Sequence, residues 1–248
     1  MLTQNSLITE LETALQSGSL DKRLASMRRV TDLFLNSAPH LNDEQVDLFD
    51  TILVHLAERI ESKALAELSQ RLAPVRHAPI GIVQHLARHD DILVAEPILS
   101  KSERLTASDL IEIAKKKGHA HLLAISSRPL LVEAVTDTLL ERGNNEVFCK
   151  LAQNNGASFS KTGFKSLTER AKNDEVLAER VGQRADLPQH LLHDLVTKAT
   201  HAVRIKLLAT VPAELHAEIK GVLAIISDQV MHEGRTEKRN IESANLKN

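Results

Sequence analysis

The stretch LLAISSRPLLVEAVTDTLLERGNNEVFCKLAQN, residues 122–154, decides the fold. Its apolar residues recur three or four positions apart: Leu122 and Ile125, then Val135 and Leu139, then Val147 and Leu151. That is the spacing of a helix with one buried face. Pro129 and Gly143 punctuate the stretch into three short helices.

Outward from it, the same order returns. Leu68, Ile125 and Val181 fall in one column, followed by Arg71, Arg128 and Arg184. Ile82, Leu139 and Leu195 align, as do Val83, Leu140 and Val196, then Val94, Leu151 and Leu207. Upstream, Leu53 matches Leu110 and Phe164, and Leu56 matches Ile113 and Leu167. Leu53 and Leu110 stand 57 residues apart, Leu110 and Phe164 stand 54 apart, and Arg128 and Arg184 stand 56 apart, so a two-residue insertion separates those columns. Periodicity on this scale marks stacked units sharing one core. The expected fold is all-α: an α-solenoid of HEAT-like helix pairs, with about three repeats of roughly 57 residues.

Four domain segments follow. Residues 1–42 are expected to be an N-terminal helical cap, and residues 43–211 the repeat core. Residues 212–232 read as a C-terminal capping helix, and EGRTEKRNIESANLKN, residues 233–248, as a disordered tail. Within the core, Asn42 or Asp43, Ser62, Asp90 or Asp91, and Ser160 or Thr162 suit helix N-caps. Thr106 and Asp109 form a relative of the capping box. Pro97 reads as a kink or an end, and the glycines at helix ends read as left-handed caps.

Composition narrows the function. The net charge is −2 with pI near 6.6, so no general electrostatic pull toward nucleic acid or anionic lipid exists. There is no Trp and no Tyr among 248 residues, which counts against base-stacking platforms. Cys149 is the single cysteine, which points to a reducing compartment. MLTQNSLITELETALQ, residues 1–16, lacks the basic start and apolar run of a secretory signal, and no stretch is apolar enough to span a membrane. A cytoplasmic monomer or homodimer is expected.

The segments LARHDDILVAEPILS (86–100), residues 122–154 quoted above, and VGQRADLP (181–188) resemble an alphaproteobacterial family catalogued as a domain of unknown function. The resemblance covers residues 65–210. It implies an all-helical, HEAT-like bacterial protein and carries over no catalytic or binding residue.

Four sets of residues are candidates for chemistry. His85 and His89 share a helical face with Asp90 and Asp91 just beyond, but zinc needs three or four converging ligands. The equivalents of these histidines one unit later, Arg142 and Glu146, are not a ligand pair, so no metal and no cofactor is expected. Cys149, between apolar neighbours, reads as a buried inert thiol. Lys115, Lys116 and Lys117 precede Gly118 and read as last-turn positive charge, or as a contact for phosphate or an acidic partner. Arg71, Arg128 and Arg184 close the second helix of each unit, where they either cap carbonyls or form a ladder for a partner.

The expected function is a non-enzymatic helical-repeat scaffold for a protein partner. A nucleic-acid-acting HEAT-like protein of the base-excision type is the alternative, and a metal-dependent enzyme using His85 and His89 is the second.

Overall fold

A computed structural model describes residues 20–58, 60–210 and 221. The capping helix expected at 212–232 (Gly221 apart), the tail at 233–248 and the first part of the N-terminal cap lie outside the described residues. Among the described residues the chain forms thirteen α-helices and a 3-10 turn at Ala38–His40, with no strand. No described helix is long and apolar enough to cross a membrane.

The chain divides into two units. Unit one holds Met1–Val147 with Gly156–Ser158, and unit two holds Phe148–Asn155 with Phe159–Asn248. In unit one the helices are α1 (Leu20–Ser37), α2 (Asp43–Ala57), α3 (Ser62–Leu72) and α4 (Ile80–Ala87). They continue as α5 (Ile92–Lys101), α6 (Ala107–Lys116), α7 (His119–Ser126) and α8 (Glu133–Arg142). The division falls inside α9 (Asn145–Gln153), and unit two continues with α10 (Lys161–Ala171), α11 (Glu175–Gly182), α12 (Gln189–Lys198) and α13 (His201–Thr210).

Packing follows a simple order inside each unit. In unit one α3 packs on α5, α5 on α7, α2 on α4 and α6 on α8, while consecutive helices such as α4 and α5 also touch. In unit two α10 packs on α11 and α12, and α13 packs on α11 and α12. All six apolar columns of the sequence point inward. Their residues, from Leu53 to Leu207, are each at most 7% exposed, with Phe164 the most open. Each fully buried Leu, Ile or Val contributes about 1.5–3 kcal/mol against exposure. Two aromatic pairs anchor the interior. Phe34 meets Phe49 edge-on at 5.4 Å in unit one, and Phe159 lies 5.1 Å from Phe164 in unit two.

Local chemistry sets the helix ends. Asn42 and Gln45 make a reciprocal capping box at α2, and Thr106 and Asp109 make another at α6. Asp91 caps α5 and Ser160 caps α10. Ser62 does not cap α3: it is already helical, and the extended residue before it is Glu61. Nor does Pro97 end α5, which runs on to Lys101. Pro97 has no N–H to donate to the carbonyl four residues back, that of Leu93, yet the helix continues past it.

The glycines are corrected too. No described glycine has a positive φ. Gly143 leaves α8 in extended backbone, where a Cβ would stand 2.5 Å from the Leu139 oxygen and 2.8 Å from a Val147 methyl. At Gly156 a Cβ would overlap the Pro129 carbonyl oxygen. That approach lets Leu131 N–H donate to Gly156 O at 3.0 Å and Ser158 N–H to Leu131 O at 2.9 Å. Close approach, not handedness, selects glycine at both positions.

Candidate functional site

The last four carbonyls of a helix lack intrahelical partners, and its C-terminal end carries partial negative charge. Buried arginines answer both needs here. Arg128, just past α7, donates from its guanidinium to Leu99 O and Ser102 O, both at 2.7 Å, at the end of α5. Burial pushes its pKa below the usual arginine value, while nearby Glu103 pulls it back. Arg184, just past α11, donates to Asn154 O at 2.8 Å and more loosely to Leu151 O and Ala152 O, at the end of α9. Asp186 grips the same guanidinium through both carboxylate oxygens, and Phe159 lies 4.7 Å beneath it.

Arg71 departs from its column. Among the described residues it donates to no carbonyl and instead forms an exposed ion pair with Asp32 of α1. Its side chain is 31% exposed, against 2% for Arg184. Sequence reasoning missed two residues with related work. Arg142 closes α8 and donates to Ala114 O at 2.5 Å, at the end of α6. Asp50 of α2 accepts from Gly81 N–H and Ile82 N–H, both at 2.6 Å, and so caps α4, whose own N-cap Pro79 offers no side-chain bond. Arg142 was visible as a last-turn cation, but nothing local to Asp50 revealed its target.

The basic run is largely balanced. Lys116 pairs with Glu112 at 2.8 Å and Lys117 pairs with Asp90, while Lys115 is exposed. Glu112 is also held by Arg88 at 2.9 Å, and these two cations bring its pKa down to about 2. His89 accepts from Asp91 N–H on Nδ1, and its backbone oxygen bonds the buried His121 ring at 2.9 Å. Among the described residues no three His, Cys, Asp or Glu side chains converge as a metal site, so His85 and His89 meet no third ligand there. Cys149 is 8% exposed, and burial pushes its thiol pKa up.

One opening lies within unit two. A cleft of about 570 Å³ runs between the end of α9 and its turn (Ala152, Gln153, Asn155) and one face of α11 (Val176, Glu179, Arg180, Gln183), with Arg184 also in its wall. Positions 176, 179, 180 and 183 share a helical face. Glu179 is paired with Lys206 at 3.1 Å. Arg180 is half-buried and makes no hydrogen bond or ion pair with the described residues. The sequence held one signal for it: Arg180 stands where Ala124 stands 56 residues earlier.

An all-helical protein with carbonyl-capping arginines and an open polar cleft is the class these features define. The chain belongs to the bacterial family described as "Uncharacterised protein conserved in bacteria (DUF2336)", which matches residues 94–245. No curated protein and no solved structure matches the chain.

Proposed function

We propose that the protein is a non-enzymatic binding module, a HEAT-like α-solenoid that holds a protein partner. In this reading residues 43–211 are three repeats of four helices, and residues 1–42 cap them. One observation carries it: inside each unit, helices pack on their second neighbours, as α3 on α5 and α5 on α7, or α11 on α13. Stacking of this kind leaves helix faces open for a partner instead of closing them around one centre. The capping arginines lend support, because Arg128 and Arg142 tie the ends of α7 and α8 to those of α5 and α6. The balanced lysine run supplies little charge for nucleic acid.

The test is reconstitution. Proteins captured by the immobilised full chain from its own bacterium are purified and titrated back by calorimetry. A saturable complex with Kd of about 10 μM or tighter is the expected result. A chain that assembles with no purified protein but retains nucleic acid at physiological salt would overturn the reading.

A further inference from the structure

We infer that the cleft of unit two takes an extended acidic peptide, with a peptide carboxylate seated on Arg180. The inference rests on the protein-binding reading above and names the kind of segment held.

The neighbouring cations already have partners. Arg184 is filled by carbonyl oxygens and Asp186, Lys206 is paired with Glu179, and Arg170 stacks over Phe148 at 4.2 Å. Arg180 alone of the lining cations reaches the opening without a hydrogen bond or ion pair among the described residues. Holding a half-buried guanidinium with unused donors sacrifices hydration, and a carboxylate restores those bonds two at a time.

The surroundings favour a peptide carboxylate over phosphate. Glu179 precedes Arg180 and lines the same cleft, so a dianion would meet one guanidinium beside a carboxylate. Gln153, Asn155 and Gln183 contribute carboxamides, which both donate and accept. A peptide backbone needs that pairing along its whole length, whereas phosphate calls chiefly for donors. Val176, 51% exposed, adds an apolar contact at one end. From Val176 to Gln183 the helix rises about 10 Å. Three residues of extended peptide cover that length at about 3.3 Å each.

The test uses the full-length chain labelled with 15N. It is titrated with the capped pentapeptide acetyl-AEAEA-amide, with its neutral counterpart acetyl-AQAQA-amide, and with inorganic phosphate. The acidic peptide should move the side-chain amide signals of Gln153, Asn155 and Gln183, and the neutral one should bind at least about tenfold more weakly. Arg180→Gln should lower affinity for the acidic peptide by a similar factor, while Arg180→Lys retains part of it. Arg180 holds no hydrogen bond among the described residues, so Arg180→Gln should keep the parent's circular dichroism. Should it unfold, Gln183→Ala reads the same site. Shifts confined to other surfaces, phosphate binding as tightly as the peptide, or undiminished binding by a folded Arg180→Gln chain would each overturn the assignment. A reconstituted protein partner indifferent to Arg180→Gln would sink the cleft and leave the binding module standing. Peptide binding here with no protein partner would do the reverse.

Discussion

The seam between α1 and α3 and the seam between α5 and α7 carry arginines from one sequence column and use them in opposite ways. At the first, Arg71 and Arg28 reach sideways to Asp32 and Glu67, and both pairs stand in solvent. At the second, Arg128 turns inward, buries its guanidinium and closes the carbonyl end of α5. Exposed ion pairs contribute little, because water competes for both charges and the side chains lose entropy. Charged hydrogen bonds to buried carbonyls contribute more, because their loss strands acceptors that water cannot reach. Position in a repeat therefore does not fix a residue's energetic weight; its acceptor does.

Three substitutions can break that comparison. The largest effect should come from Arg184→Ala, which removes carbonyl bonds, the Asp186 grip and the stack on Phe159 together. A loss of about 3 kcal/mol is expected. Arg128→Ala should cost about 2 kcal/mol, because the desolvation of its charge offsets part of what its bonds supply. Arg71→Ala should cost less than about 1 kcal/mol. Urea denaturation followed by far-ultraviolet circular dichroism measures all three, since a chain with no Trp or Tyr has only the weak emission of phenylalanine. Equal losses at Arg71 and Arg128 would show that the column, not the acceptor, sets the energy.

The same contrast explains what the sequence could reveal. Apolar periodicity is a local property, and every residue of the six columns lies in the interior. The caps at Asn42, Thr106, Asp91 and Ser160 were legible for the same reason, since donor and acceptor lie within three residues. Partners distant along the chain were not. Asp50 finds α4 across 31 residues, and Arg142 finds Ala114 across 28. Arg71, Arg128 and Arg184 look alike in sequence, and only the backbone around each decides whether a carbonyl is within reach. Glycine misled because its placement near helix ends is shared by two causes, left-handed backbone and close approach, and at Gly143 and Gly156 the second holds. The cleft left the faintest trace, a single arginine where its column neighbour is alanine.

The smallest expected effect sharpens the comparison by pH, between two charge networks. In unit one Arg88 is shared by Asp109 at 3.0 Å and Glu112 at 2.9 Å, with Lys116 on the far side of Glu112. In unit two Lys172 is shared by Glu169 at 2.6 Å and Asp194 at 3.1 Å, with Lys198 beyond. Glu112 is pulled from its ordinary 4.5 to about 2 by the hydrogen bonds of Lys116 and Arg88. Between those values the unfolded chain takes a proton that the folded chain refuses, so the contribution is complete above pH 4.5 and lost as pH falls toward 2. Lys172 runs the other way. Burial works against its charge, but the bonds to Glu169 and Asp194 more than offset it, and its pKa lies above the ordinary 10.5. Its contribution is complete below pH 10.5 and fades as pH rises through the folded value. Glu112→Gln should therefore flatten the acid limb of the stability profile and leave the alkaline limb alone, and Lys172→Gln should flatten the alkaline limb. Midpoints of urea unfolding across pH measure both. A Glu112→Gln profile that falls as steeply as the parent's between pH 4.5 and 2 would mean that water already screens this network, and that the buried carbonyl caps hold the helices without its help.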